Sequence, residues 1–280
     1  TKAIIDAGLS KVVVAMVDPD PLVRGKGIAE LEAAGIEVEV GALGTEAERL
    51  NEAYVVHRSL GRPFIVYKVA ATFDGRTSAP DRSSKWISGE KARTDVQRLR
   101  SEVDAIVVGV ETVLSDDPAL TNRGVRSERK PMRVVMDSRL RTEPQAKILL
   151  GDETTLIFCG DDVDSSRAAA LEKAGAELVP LANDGNGLSI KQMLKILAER
   201  QIVTVLLEGG PTLAGSFQRE EMIDKYVLYL SSKIMGGLGS AGILEGWTAQ
   251  TIQEARPLEI VNVKRVGEDV RVEAYPVRGT

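Results

Sequence analysis

The stretch Val203-Thr204-Val205-Leu206-Leu207-Glu208-Gly209-Gly210-Pro211-Thr212-Leu213-Ala214-Gly215-Ser216 constrains the fold more than any other part of the chain. An apolar, β-branched run closes on a single acid, and two glycines and a proline follow. The run predicts a buried strand and the glycines a tight turn. Pro211 predicts a helix start, because its missing N–H would have had no partner in the first turn. Strand, turn and helix in that order belong to an α/β protein with a largely parallel sheet. Backbone N–H groups at such a helix start have no internal acceptor, and the helix dipole favours negative charge there. The junction therefore serves either as a phosphate cradle or as a packing turn, and the stretch by itself leaves both open.

The same alternation extends in both directions. Strands are predicted over 11–17, 36–40, 64–71, 105–110, 133–137, 155–159, 177–180, 203–208 and 225–231. Helices are predicted over 1–8, 24–34, 46–57, 89–102, 165–174 and 190–200, with Ser88 as the N-cap of the fourth and 111–114 as a short helix or turn. The end of the chain, 258–266 and 269–277 joined through Gly267-Glu268, reads as an antiparallel hairpin. Leu60-Gly61-Arg62-Pro63 is the best linker and divides a β-α-β segment, 1–60, from a larger domain, 61–280. A helix already in progress at Thr1 suggests an element cut from something longer.

Composition narrows the function. The chain has 280 residues, 43% of them apolar, so it can bury a real core. A formal charge of −5 argues against a general nucleic-acid or membrane surface. No run approaches the roughly 18 apolar residues that span a bilayer, and the N-terminus lacks a secretory pattern. The single cysteine, Cys159, forbids an internal disulfide and fits a cytoplasmic protein. With one histidine as well, a Cys/His zinc site built from this chain alone is not expected. Neither Gly-x-Gly-x-x-Gly nor a P-loop follows a strand.

Several residues pose chemical questions. Lys68 interrupts the apolar run Phe64-Ile65-Val66-Tyr67-Lys68-Val69-Ala70-Ala71, where an ammonium needs either solvent or an anion. Glu208 poses the complementary question at the end of its own strand, so the two are candidates for one cleft. The loop Thr112-Val113-Leu114-Ser115-Asp116-Asp117-Pro118-Ala119-Leu120-Thr121-Asn122-Arg123 follows a buried strand, where parallel sheets bind ligands, and Arg123 is a natural fork for a phosphate. It can equally be a solvated turn. Asp137-Ser138-Arg139-Leu140-Arg141 follows another strand and can hold the 2′-phosphate that separates NADP from NAD. Trp86 either covers a flat ring or packs at a helix start. His57 reads as structural, and Met132, Met136 and Met235 as core filler.

Taken together, Lys68-x-Ala70-x-x-x-Asp74-Gly75-Arg76-Thr77, Ser84-Lys85-Trp86-Ile87-Ser88, Asp95-Val96-Gln97-x-Leu99-Arg100, Thr112-Val113-Leu114-x-Asp116-Asp117-Pro118-x-Leu120-Thr121, Asp137-Ser138 and Glu208-Gly209-Gly210-Pro211-Thr212-Leu213 resemble the reductase domain of the bifunctional riboflavin-biosynthesis deaminase/reductase family. The motifs run in the family's order over most of 63–276. The resemblance implies a dihydrofolate-reductase-like fold that binds NADPH and reduces 5-amino-6-(5-phosphoribosylamino)uracil to its ribitylamino product. It places cofactor contacts on Ala70, Trp86, Thr112, Asp116, Ser138, Gly210, Pro211, Thr212, Leu213, Ala214, Gly215 and Ser216. Substrate contacts fall on Ser84, Arg100, Leu120, Arg123 and Glu208. Arg100 and Arg123 would hold the ribose 5-phosphate, and Lys68 and Glu208 the sugar hydroxyls. Lys68 and Glu208 are the catalytic candidates, with Lys68 assisting proton transfer.

Residues 1–60 resemble the later half of the same family's zinc deaminase domain, whose His-x-Glu and Pro-Cys…Cys ligands would lie before Thr1. Zinc is accordingly expected only outside this sequence, no metal site within it, and no deamination by this polypeptide as it stands. The family and the C-terminal hairpin edge suggest a homodimer. Two other readings remain: a dihydrofolate-reductase relative acting on another pteridine, and a nucleotide-binding module without turnover.

Overall fold

A computed structural model describes residues 1–278 except 122–129, 152, 184 and 186. It contains two compact units, Thr1–Phe64 and Ile65–Thr280. In the first, α1 (Lys2–Asp6) leads to a parallel strand pair, β1 (Lys11–Val14) and β2 (Glu37–Val40), connected through α2 (Lys26–Ala33). The segment predicted as one helix over 46–57 is two, α3 (Gly44–Leu50) and α4 (Glu52–Leu60). The break falls at Asn51, whose side-chain amide donates to the Ala47 carbonyl at 2.9 Å and competes with the helix ladder. Gly61 then ends α4 in the left-handed region, φ +63°. His57 is buried on α4.

The second unit is built on a nine-stranded sheet. Along the chain come β3 (Phe64–Ala71), α5 (Glu90–Glu102), β4 (Ala105–Gly109), α6 (Val110–Asp116), β5 (Met132–Met136), β6 (Thr155–Cys159), α7 (Ser165–Lys173), β7 (Ala176–Pro180), α8 (Ile190–Glu199), β8 (Thr204–Leu207), α9 (Pro211–Arg219), β9 (Lys225–Leu230), β10 (Leu258–Val266) and β11 (Asp269–Pro276). Their order in the sheet is β10-β11-β9-β3-β8-β4-β5-β6-β7. The pairs β3–β9, β8–β4, β4–β5, β5–β6 and β6–β7 are parallel, while β9–β11 and β11–β10 are antiparallel. The fold is therefore α/β, mostly parallel, with an antiparallel hairpin at its C-terminal edge.

The central strands are mostly apolar because helices cover both faces, with Lys68 of β3 and Arg133 of β5 as charged exceptions. Ile65, Val107, Val134, Leu156, Val205 and Leu207 meet Leu194 and Leu197 of α8 and Ala214 and Phe217 of α9 in one core. Burying each such side chain contributes about 1.5–3 kcal/mol. Met136 joins this core and Met132 packs against it, whereas Met235 is only half-buried and its N–H binds Asp74. The cap of α5 also departs from expectation. Gly89, not Ser88, is the N-cap, and its N–H donates to Asp269 of β11 at 2.7 Å. A carboxylate from a distant strand thus fixes the N-cap residue, and no side chain caps the first turn. Among the described residues no helix is long and apolar enough to cross a membrane.

Candidate active site

A cleft of about 1670 Å³ runs over the ends of β4, β5 and β8 and along β3, roofed by residues 77–88 and 239–245. Strand ends in parallel sheets open where the connecting helices diverge, which makes this the expected ligand position.

Its centre is the ion pair of Glu208 with Arg100. Arg100, in the last turn of α5, donates from Nε to Glu208 Oε1 at 2.6 Å and from Nη2 to Oε2 at 2.8 Å, with side-chain exposures of 15% and 8%. This is the bidentate fork that suits a guanidinium. Burial works against the Glu208 carboxylate, but the charge of Arg100, its hydrogen bonds and then Lys68 outweigh it, holding Glu208 below the ordinary carboxylate range. Lys68 lines the same cleft. Burial pushes its ammonium below the usual lysine range, while Glu208 pulls it up and Arg100 presses it further down. The acid and the base singled out at separate strand positions do meet in one place.

Two of the Arg100 nitrogens are thus committed to Glu208, and Nη1 lies 3.5 Å from the Thr121 carbonyl. Arg123, the other expected phosphate ligand, lies outside the described residues. Ser84 and Leu120 line the cleft, the latter with its backbone in the left-handed region at φ +48°.

Of the residues expected at a cofactor, Ala70, Trp86, Thr112, Asp116, Ser138, Gly210, Pro211, Thr212, Leu213 and Ser216 all line the cleft. Ala214 and Gly215 do not. Ala214 is fully buried in the core, and a Cβ on Gly215 would stand 1.6 Å from the Glu245 carbonyl oxygen. Gly215 is small so that the chain at 245 can pass over α9. The N-terminus of α9 has no side-chain cap, and the Gly210 N–H donates to Thr112 Oγ1 at 3.2 Å. A Cβ on Gly209 would meet Leu213 Cδ2 at 2.8 Å, so the glycine lets the turn close on the helix.

Trp86 is 62% exposed at the cleft, and the Arg93 guanidinium stacks on its ring at 4.6 Å. Its loop is tied down on two sides. Lys85 Nζ donates to the Asp116 carbonyl at 3.0 Å, and Lys233 Nζ donates to the Trp86 carbonyl at 2.6 Å. At the β5 end, Ser138 and Lys147 line the cleft, with Lys147 paired to Asp117 at 2.9 Å. Arg141, expected beside Ser138, instead pairs with Glu111 at 2.6 Å. Sequence reasoning passed over Arg93 and Lys233, for neither lies in a pattern that distinguishes it from a solvated cation. Among the described residues no group of His, Cys, Asp and Glu could hold a metal ion.

Residues 63–272 match the family described as RibD C-terminal domain. The riboflavin biosynthesis protein RibD of Aquifex aeolicus is 37% identical over 273 residues, which cover 96% of this chain and 74% of that protein. Its counterpart in Bacillus amyloliquefaciens is 35% identical, with 99% and 74% covered. Among solved structures, Acinetobacter baumannii RibD superposes with a TM-score of 0.84 at 32% identity, covering 99% of this chain and 76% of that one. A diaminohydroxyphosphoribosylaminopyrimidine deaminase/5-amino-6-(5-phosphoribosylamino)uracil reductase from Thermotoga maritima gives 0.82 at 28% identity, with 99% and 74% covered. With the family matched across residues 63–272, which include every residue lining the cleft, the chain belongs to the RibD C-terminal domain family, the reductase of riboflavin biosynthesis.

Proposed function

We propose that this chain reduces the ribosyl group of 5-amino-6-(5-phosphoribosylamino)uracil to the ribityl chain with NADPH. The observation that carries the reading is that Lys68 and the Arg100-clamped Glu208 line one cleft, which also holds the uncapped start of α9. Reduction of a pyrimidine by the family agrees with a nicotinamide cofactor, and the residues present fit one. The first-turn N–H groups of α9, freed by Gly209 and Gly210 from any Cβ over the turn, suit a pyrophosphate. Thr112, Asp116 and Ser138 continue the wall, and Trp86 offers a face for a flat ring. When bound, the cofactor supplies a hydride.

The chain's own residues prepare the acceptor. As the aminoribosyl ring opens, the ring oxygen takes a proton and becomes the 4′-hydroxyl, while the nitrogen lone pair forms C1′=N. Lys68 Nζ holds and donates that proton. Glu208 accepts hydrogen bonds from the sugar hydroxyls, and Arg100 keeps its carboxylate fixed and charged. Arg123 and the guanidinium of Arg100 are assigned to the 5-phosphate, whose charge they neutralise. Alignment and exclusion of water do the rest.

NADPH oxidation followed at its absorbance band, with the ribosylaminouracil phosphate as substrate, tests the reading. Turnover is expected. Intact NADPH binding without oxidation would support a module without turnover, and oxidation with dihydrofolate instead would move the substrate to another pteridine.

In the same reading the Thr1–Phe64 unit is the later half of a zinc deaminase domain, supported by its parallel β1–β2 pair and by the relatives' combined deaminase/reductase activity. The protein is read as cytoplasmic and as a homodimer. Support for a dimer is the β10 edge, where Ile260 and Val263 are exposed. Sedimentation velocity distinguishes dimer from monomer.

A further inference from the structure

One buried network in the second unit has no part in the roles assigned above. Tyr229 of β9 stands opposite Ala70 in the parallel register of β3, so strand alternation puts it on the face that carries Lys68. Its ring centroid lies 6.0 Å from Lys68 Nζ, and the residue is 0% exposed. The Tyr229 hydroxyl donates to Asp95 Oδ2 of α5 at 2.7 Å, and Arg271 Nη1 of β11 donates to the same oxygen at 2.8 Å. The Arg271 guanidinium also lies 5.9 Å from the ring, and its Nη2 is 3.2 Å from Glu273 Oε1. Lys264 reaches Asp95 Oδ1 at 3.9 Å and Lys225 reaches Glu273 Oε2 at 3.4 Å. Two elements, α5 and β11, therefore hold a ring that projects from β9. Burial, then the bond to Asp95, pushes the phenol far above its usual range, so it stays neutral.

We propose that Tyr229, aimed by Asp95 and Arg271, is the positioning residue for Lys68, its ring face carrying the ammonium at the Glu208 end of the cleft. The proposal rests on the reading of Lys68 as the proton donor. An ammonium over an aromatic face is attracted to the ring quadrupole, which replaces part of the water lost on burial. Lys68 otherwise faces Glu208 at the end of β8 and Arg100 on α5, while the charged groups Asp95, Arg271 and Glu273 stand around the Tyr229 ring. Removing the ring lowers the Lys68 pKa further. The protonated fraction at a given pH falls, and the alkaline limb of kcat moves to lower pH.

The Lys68 titration is read from its Cε resonance in full-length, lysine-labelled protein, assigned by its loss in Lys68→Met. Tyr229→Met is expected to lower the Lys68 pKa by about 0.5–1 unit and kcat at pH 8 by about 3–10-fold, with KM and NADPH Kd within about two-fold. Tyr229→Phe keeps the ring and restores most of both. Pentafluorophenylalanine at position 229 keeps the shape and reverses the quadrupole, so it should shift the titration as Tyr229→Met does, even if that variant fails to fold. A Lys68 titration identical in the phenylalanine and pentafluorophenylalanine proteins overturns the proposal. A shifted titration with unchanged kcat supports the positioning and removes Lys68 from proton transfer, and Lys68→Met with undiminished kcat removes it independently.

Discussion

Glu208 and Asp137 occupy equivalent places: each follows an apolar strand of the parallel sheet, β8 and β5, with β4 between them. Their carboxylates do different work. Asp137 is fully buried, and its oxygens accept from the Arg141 N–H at 2.9 Å, the Thr142 N–H at 2.7 Å and Thr142 Oγ1 at 2.8 Å. It is spent on the loop that follows it. Glu208, one methylene longer, reaches across to Arg100 of α5 and leaves its charge facing the cleft. Two strand cations divide in the same way. Arg133, 1% exposed, donates to the Leu150 carbonyl at 2.7 Å and to the Glu153 carbonyl, holding a loop, whereas Lys68 opens on the cleft. Asp137 and Arg133 are used up in holding the loops beside them, whereas Glu208 and Lys68 line the cleft.

The largest expected effect falls on the available side of this division. Lys68→Met should lower kcat by about 10³-fold with little change in NADPH Kd, because general acid assistance contributes about 10²–10⁴-fold. An unchanged kcat would take Lys68 out of the mechanism. Glu208→Gln should lower kcat/KM by about 10²-fold and also reduce stability, since it leaves the buried Arg100 charge unmatched; steady-state kinetics and urea unfolding read the two effects. Asp137→Ala should do the reverse. It strips three hydrogen bonds from buried groups, so urea unfolding should show a loss of about 2–4 kcal/mol, while kcat stays within about three-fold. A fall of kcat comparable to that of Glu208→Gln would erase the distinction between the two acids.

The smallest expected effects are on pH. The folded pKa of Glu208 is depressed, so its contribution to stability is present above the unfolded value of about 4.3 and is lost as pH falls through the folded value. Lys68 is also depressed, so the folded state binds its proton less well than the unfolded state does. Stability should rise as pH climbs from the folded pKa of Lys68 towards about 10.4. Lys68→Met removes that penalty, so at pH 7 the inactive variant should be slightly more stable than the parent. Urea midpoints at pH 7 and pH 9.5 test this, and equal pH dependence in the two proteins would contradict it.

Much of the architecture was legible because it is written in local pattern. The strand at 64–71, the strand at 155–159 and the helix start at Pro211 fall where alternation and proline chemistry place them. The places where reading failed share a cause. Asn51 divides a helix by a side-chain hydrogen bond that no periodicity reveals. The N-cap residue Gly89 is held by Asp269, far away in sequence. Ala214 and Gly215 sit in a motif aimed at a ligand, yet the 3.6-residue turn of α9 points them inward, against the core and residue 245.

From the residues alone came an α/β chain, a glycine turn able to receive an anion, and an acid and a lysine needing partners in apolar surroundings. Those follow from chemistry carried within a few residues, namely backbone freedom, missing donors and the penalty for burying charge. Only the tertiary structure decided that Lys68 and Glu208 share a cleft, that Arg100 is the fork that holds Glu208, and that Tyr229 with Asp95 stands beneath Lys68. Each of those relations joins separate strands or helices, and long-range contact is set by how the sheet orders its strands, which no local stretch encodes.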